Sequence, residues 1–168
     1  MALGQTLAYL ARMTIIYTMP GHLIRRLQQI SVSVFAEQMK AAGSDLTSPQ
    51  FAALAMLRDH PEIDQATLAG LIAYDRPTIG GVVDRLVAKG FVARTTNPED
   101  RRAKVLTLTP EGDAALTRLI PVVEACQDAI LPGLTDSEKA EFIRLAGKIA
   151  EAGNTLSRVP LQTGPKPA

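Results

Sequence analysis

Apolar side chains recur at helical spacing over the first third of the chain. Within residues 22–42, the apolar side chains at helical spacing include Leu23, Leu27, Ile30, Val34 and Met39. This spacing predicts a long helix with one apolar face, and Gly43 follows it as a candidate C-cap. A second apolar pattern begins at Ser48, a candidate N-cap followed by Pro49, and stops before Pro61. It predicts a shorter helix.

Two short amphipathic segments follow and are separated by a tight turn. The first, "IDQATLAGLIAY", opens with Asp64 as a candidate N-cap. The second, "RPTIGGVVDRLVAKG", starts after Asp75, has Pro77 in its first turn and ends at Gly90. Two short helices in this arrangement predict a helix-turn-helix unit.

After Gly90 the apolar spacing changes from helical to every second residue. The segments "FVART" and "KVLTLT" predict two strands, and residues 97–100 between them are turn formers. Two helices followed by a hairpin are the order of elements in a winged helix. The sequence therefore predicts this unit in the middle of the chain.

Two more helices are predicted after the hairpin. Thr109 is a candidate N-cap, and Pro121 falls inside the helix that starts there. Proline lacks a backbone donor, so we expect Pro121 to kink or break this helix. The last helix opens with a capping box formed by Thr135 and Glu138. The apolar faces of the terminal helices exceed what a small winged-helix core needs, so we expect them to form a helical dimer interface.

Charge is unevenly distributed, although the net charge is only +1. Residues 76–104 contain seven Lys or Arg and three Asp or Glu, whereas residues 110–153 contain four and eight. A basic segment beside an acidic one indicates a polyanion-binding surface in one part of the fold. Taken alone, the pattern is more typical of an ordinary solvated face.

Length and composition are typical of one globular domain, with 168 residues of which 46% are hydrophobic and 21% charged. A single cysteine, Cys126, leaves no disulfide framework and favours a reducing, cytoplasmic location. The apolar N-terminal segment lacks a basic n-region and contains Arg12, so we expect no cleaved signal peptide. Because no window has the uninterrupted apolar length of a membrane helix, we expect no membrane partner.

The segment "DRPTIGGVVDRLVAKGFVARTTNPEDRRAKVLTLTPEG" closely resembles the centre of the MarR family of bacterial transcriptional regulators. The likeness implies a mainly α fold with a small β wing, in which long terminal helices form a dimerisation domain. It also implies a homodimer whose two winged helix-turn-helix heads read a palindromic operator in double-stranded DNA. The implied parts are N-terminal dimerisation helices in 1–45, the DNA-binding region in 46–109, C-terminal dimerisation helices in 110–156 and a flexible tail in 157–168.

The second short helix and the hairpin tip carry the candidate DNA contacts. A helix N-terminus offers free amides and the positive end of its dipole to phosphates, and short polar side chains there can approach base edges. The predicted contacts on the helix are Arg76, Thr78, Gly80, Gly81 and Arg85. Those on the hairpin are Asp100, Arg101, Arg102 and Lys104.

The resemblance implies that Arg102 enters the minor groove while Asp100 orients it. Arginine suits this role because narrow minor grooves concentrate negative potential. Structural alternatives stay open for the other positions. The two glycines could serve close packing with the neighbouring helix, Arg85 could pair with Asp84 or the wing, and the basic hairpin tip could be a solvated turn.

The resemblance also implies a pocket between the dimer helices and the DNA-binding head for a small anionic aromatic effector. In "PGHLIRRLQQ", His22, Arg25 and Arg26 place cationic or protonatable groups beside an apolar face and could hold a carboxylate or an aroyl-coenzyme A. Arg58 and Tyr74 could border the same cleft. Overall likeness points to the branch that controls aromatic-acid, hydroxycinnamate-type catabolism. The alternative is that these charges are simply solvated.

Other function classes have less support in the sequence. It contains no nucleophile and base constellation, phosphate loop or metal-ligand spacing, so we expect no enzyme, cofactor or metal site. A redox sensor would need a reactive thiolate, which Glu124 and Asp128 beside Cys126 disfavour. A winged-helix protein-interaction module without a ligand remains an alternative to the ligand-responsive regulator.

Overall fold

The computed structural model describes residues 15–97 and 103–162. Its α-helices are α1 (Pro20–Ala41), α2 (Ser48–Asp59), α3 (Gln65–Leu71), α4 (Arg76–Ala88), α5 (Pro110–Ile130) and α6 (Asp136–Ala152). Its strands are β1 (Val92–Thr96) and β2 (Lys104–Leu108), and short 3-10 helices lie at Ile16–Thr18 and Asn154–Leu156. The predicted mainly α fold with a small β hairpin is confirmed.

The hairpin is attached to the helix-turn-helix unit formed by α3 and α4. Strands β1 and β2 pair antiparallel, from Val92 opposite Leu108 to Thr96 opposite Lys104. Ile63, just before α3, adds an isolated antiparallel bridge to β2. The wing is therefore joined by backbone hydrogen bonds to the segment that leads into the first helix of the unit.

The hydrophobic core lies between α2, α3, α4 and the hairpin and receives side chains from α1 and α5. Its most deeply buried large members are Met39, Leu54, Leu57, Leu68, Ile79, Val83, Leu86, Leu106, Leu116 and Leu119. Each fully buried aliphatic side chain of this kind contributes about 1.5–3 kcal/mol through removal from water. This shared core fixes the positions of α4 and the wing.

Local capping interactions determine where the helices begin. The predicted N-cap Ser48 is wrong by one residue, because Thr47 caps α2 and forms a capping box with Gln50. Gln50 Oε1 accepts from the Thr47 amide at 2.9 Å, so both side chains satisfy free backbone donors. Asp64 and Thr109 cap α3 and α5 as predicted.

The terminal helices differ in how much of their surface is covered. α1 packs along α5, and α5 continues through Pro121, so the break considered for this helix does not occur. No residue of α6 is buried. None of the described helices is long and apolar enough to cross a membrane.

Candidate DNA-binding face and effector cavity

The N-terminus of α4 is built around Asp75. Its carboxylate accepts from the backbone amide and the hydroxyl of Thr78, both at 2.8 Å. Both bonds lower the pKa of Asp75 below its ordinary value, and the bond from the backbone amide has the larger effect. The capping carboxylate therefore stays ionised at neutral pH. Arg76 and Thr78 are exposed beside it, which places the helix start on the protein surface.

The two glycines of α4 leave its outer face open. A Cβ built on Gly81 meets nothing within 4 Å, and one on Gly80 lies at 3.4 Å from Gln65 Nε2, an ordinary contact. Packing against a neighbouring helix therefore does not require either glycine. The opposite face of α4 is anchored by the buried side chains of Ile79, Val82, Val83 and Leu86. The helix is thus anchored through its buried face, and its outer face has no bulky side chain at the two glycine positions.

An ion pair joins α4 to the wing. Asp84 Oδ1 and Arg94 Nη2 of β1 are 2.8 Å apart, so Asp84 pairs with Arg94 and the exposed Arg85 is left on the helix surface. Arg94 was not among the predicted site residues. Its role depends on the register of the hairpin against α4, which the local sequence pattern does not contain.

Hydrogen bonds between the two strands continue to the last described residues of the wing. Lys104 Nζ donates to Thr96 Oγ1 at 2.8 Å across the last strand pair, and the amide of Asn97 donates to the carbonyl of Ala103 at 3.0 Å. The predicted contacts at the tip, Asp100, Arg101 and Arg102, lie outside the described residues.

A cavity of about 570 Å³ lies between α1 and the start of α2. Its lining combines α1, the loop before α2 and the turn before α4, with Gln28, Val32, Ala36, Met39, Lys40, Ser44, Asp45, Leu46, Thr47, Ser48, Pro49 and Tyr74. The volume falls in the range of small-molecule pockets. Lys40 and the N-terminal end of α2 both favour negative charge here. Asp45 is engaged by the ammonium group of Lys89, which lowers the pKa of this carboxyl.

Tyr74 is the predicted ligand residue that lines this cavity. Arg25 lies one turn before Gln28 on the same helical face, and its guanidinium donates to Gln29 at 3.1 Å. His22 is half-buried and stacks edge-on with Tyr17 at 5.6 Å between ring centroids. Arg26 is exposed on α1 near these residues.

Arg58 lies on α2 away from this cavity and contacts α5. Its Nε is 3.0 Å from Asp113 Oδ1, and its Nη2 donates to Thr117 Oγ1 at 3.1 Å. The guanidinium is thus already partnered by a carboxylate and a hydroxyl. Such an arrangement favours a structural contact between the head and α5. Lys40, the basic residue of the cavity lining, was not among the predicted ligand residues, and its helical spacing from Ala36 is a weak local signal.

A second, apolar groove runs between α1 and α6. It has a volume of about 500 Å³ and is lined by Ile24, Leu27, Gln28, Ser31, Ile130, Leu131, Phe142, Leu145, Ala146, Ile149 and Ala150. Both helices carry exposed apolar side chains here, including Ile24 on α1, which is 59% exposed, and Ile143 and Ile149 on α6, each 65% exposed. Such a face on a described helix without buried residues is typical of an interaction surface.

Cys126 is fully buried in α5. Burial raises the pKa of its thiol above the ordinary value, which disfavours the thiolate that oxidation requires. The redox alternative therefore gains no support from the environment of this cysteine.

The described fold and face define a winged helix-turn-helix protein of the DNA-binding class. The MarR family profile matches residues 46–104. The chain is 35% identical over 132 residues to the transcriptional repressor NicR of Pseudomonas putida, covering 79% of this chain and 82% of that protein. This chain belongs to the MarR family. Its matched relatives are transcriptional regulators and not enzymes.

Solved structures support the same assignment. A structure on the regulation of DNA binding of Bordetella bronchiseptica BpsR by 6-hydroxynicotinic acid superposes with a TM-score of 0.73 at 32% identity, covering 79% of this chain and 94% of that one. The transcriptional repressor CouR bound to a 23-mer DNA duplex superposes with a TM-score of 0.73 at 27% identity, covering 80% and 94%. The chain is therefore a DNA-binding transcriptional regulator of winged-helix type.

Proposed function

We propose that this chain is a homodimeric, cytoplasmic repressor that binds a palindromic operator and is released by a small anionic aromatic acid. The observation that carries the proposal is the exposed start of α4, where Arg76 and Thr78 flank a helix N-terminus whose glycine face is open. The Arg76 guanidinium and the positive end of the helix dipole at this point suit a phosphate backbone, and the open glycine face suits an adjacent base edge.

DNA binding through this face is tested by measuring operator affinity against salt. An operator is first selected from a random duplex library with the purified protein. Arg76→Ala and Arg102→Ala should each weaken binding and reduce the slope of log affinity against log salt by about one. Arg144→Ala is the matched control because its guanidinium pairs with Glu141 on α6. Unchanged affinity for both head variants would reject this face and favour a protein-interaction module.

The proposed homodimer is supported by the exposed apolar faces of α1 and α6. Two copies related by a twofold axis would cover these faces and set two recognition helices against two half-sites. Ile149→Glu places a charge in the apolar groove and should shift sedimentation toward the monomer, with a loss of operator binding. Lys148→Glu changes charge on the neighbouring exposed position and serves as the control. A monomeric wild-type protein that still binds the palindrome would contradict this arrangement.

The effector site is the cavity beside Tyr74. An aromatic ring fits its apolar walls of Val32, Ala36 and Met39, and a carboxylate fits Lys40 and the amino end of α2. Arg25 precedes the cavity residue Gln28 by one turn of α1 and lies about 22 Å along this helix from Lys40. The regulation of BpsR DNA binding by 6-hydroxynicotinic acid supports this ligand class.

A thermal-shift screen tests the effector. Hydroxybenzoic, hydroxycinnamic and hydroxynicotinic acids are compared with their coenzyme A thioesters, because a ligand bound to the native state raises the unfolding temperature. Lys40→Met should abolish the shift of a free acid and leave the unliganded protein folded. Parallel Arg25→Ala and Arg26→Ala variants test the predicted cations on α1. A screen without any shift would reject the effector proposal and leave operator binding intact.

A further inference from the structure

The chain returns to the helix-turn-helix unit after the last long helix. We call residues Asn154–Gln162 the C-terminal strap. The backbone amide of Gln162 at its end donates to the carbonyl of Gly70 in α3 at 2.9 Å. The strap therefore connects the end of α6 to the first helix of the DNA-binding unit.

The strap is folded by its own side chains. Asn154 Nδ2 donates to the Leu161 carbonyl at 3.0 Å, and the Leu161 amide donates to Asn154 Oδ1 at 2.7 Å. Ser157 makes a similar pair of bonds with the backbone of Val159, at 3.0 and 3.1 Å. These bonds hold a defined path between α6 and α3, in the part of the predicted tail that the structure describes.

Gly70 is the residue in α3 that receives the strap. It is the next-to-last residue of this short helix, and glycine in a helical turn is less favourable than alanine. The backbone of Gly70 does not have a positive φ, so its conformation does not require glycine. A Cβ built there would lie 2.6 Å from Cδ and Oε1 of Gln162 and 3.0 Å from its Cγ. The missing side chain thus leaves room for the Gln162 side chain, which would have to move if Gly70 carried a Cβ.

We infer that the C-terminal strap is a clip that holds the helix-turn-helix unit in its operator-binding position relative to α6. No residue of α6 is buried in the chain, so the strap is a direct bonded link between this helix and α3. With the strap released, α6 takes up a wider range of orientations relative to the head, and so does any second copy that it carries. Apparent operator affinity is then the intrinsic affinity multiplied by the fraction of molecules that keep the binding orientation. The inference rests on operator binding and is independent of the effector.

Gly70→Ala in the full-length chain tests the clip. Alanine favours the helical state of α3, while its Cβ forces the Gln162 side chain away from Gly70 and so loosens the end of the strap. We expect faster hydrogen exchange of the Gln162 amide and operator affinity that is lower by about fivefold or more, the usual range for coupled sites. A second test compares a chain that ends at Gln162 with one that ends at Val159. The first keeps every described strap contact, and the second loses those of Leu161 and Gln162 and should bind as weakly as Gly70→Ala.

The possible outcomes separate the clip from the proposed function. Operator affinity within twofold of wild type in both Gly70→Ala and the Val159-terminated chain would overturn the clip. Rapid exchange of the Gln162 amide in the wild-type protein would overturn it as well. A wild-type protein that protects this amide but binds no selected operator would instead reject the proposed DNA-binding function.

Discussion

The ammonium group of Lys89 donates to both carboxylate oxygens of Asp45. Lys89 is the C-cap of the recognition helix α4, whereas Asp45 lines the cavity between α1 and the start of α2. One ion pair therefore joins the wall of the proposed effector site to the end of the helix that we propose faces DNA. Because Asp45 is exposed, the pair contributes more to position than to stability.

The first prediction concerns this pair. Asp45→Asn removes the charge that holds Lys89 and should leave effector binding measurable by thermal shift. The effector should then weaken operator affinity less than it does in the wild type, because the cavity wall no longer holds the end of α4. On the same preparation, effector binding is measured by thermal shift, and operator affinity is measured by fluorescence anisotropy with labelled operator. An unchanged ratio of operator affinities with and without effector would show that coupling takes another route.

The second prediction concerns Arg94. Arg94→Ala leaves Asp84 unpaired on the recognition helix and frees β1 from α4, so the wing loses a contact that orients it. We expect weaker operator binding with little change in unfolding temperature, since exposed ion pairs contribute at most about 1 kcal/mol. Asp84→Asn should weaken binding in the same direction. If Arg94 instead acts only through its own charge on DNA, Arg94→Ala will weaken binding and Asp84→Asn will not.

The third prediction concerns Gly112, the last residue of the "TPEG" segment. A Cβ at this buried position would lie 2.1 Å from the carbonyl oxygen of Phe91, which is backbone and cannot move aside like a side chain. Gly112→Ala should therefore lower the free energy of unfolding by roughly 1–3 kcal/mol or more. Gly147→Ala on α6 is the matched control, because its Cβ meets nothing within 4 Å. Equal denaturation midpoints in urea for the two variants would refute this explanation.

The fourth prediction concerns pH. Hydrogen bonds from Thr78 hold the pKa of Asp75 below its ordinary value, so its folded form prefers the carboxylate. The resulting stability is fully present above the unfolded pKa of about 3.9 and is lost as pH falls through the lower folded pKa. In Asp75→Asn, which can still cap the helix, the unfolding temperature should fall less steeply between pH 5 and pH 3. A slope equal to that of the wild type would mean that the carboxylate does not contribute to this dependence.

The order of elements was predictable because each helix and strand carries a local signal. Asp64, Asp75 and Thr109 accept the hydrogen bonds expected of N-caps. The N-cap of α2 was misplaced because Thr47 and Ser48 are both good caps, and only the capping box with Gln50 distinguishes them.

The candidate sites were less predictable because they depend on contacts between distant parts of the chain. Arg58 reads as a free cation in the sequence, but Asp113 pairs with it from α5. The side chains of Arg94 and Lys89 acquire partners only when the wing and the loop before α2 pack around α4. The cavity at Tyr74 likewise combines two helices and two loops. Local patterns identify the residue types at such places and not their partners.

Thr109 links the proposed recognition helix α4 to α5. Its hydroxyl donates to the carbonyl of Gly90 at 2.7 Å, and its own amide donates to the carbonyl of Phe91 at 3.1 Å. The end of α4 is thereby tied to the first turn of α5, a helix about 31 Å long. We therefore expect α4 to follow a rotation of α5 with little relative movement between the two helices. In a dimer joined through the terminal helices, the geometry of these helices then sets the distance between the two heads. We therefore expect the protein to bind poorly to operators whose half-sites are moved apart by a few base pairs, because this junction does not bend.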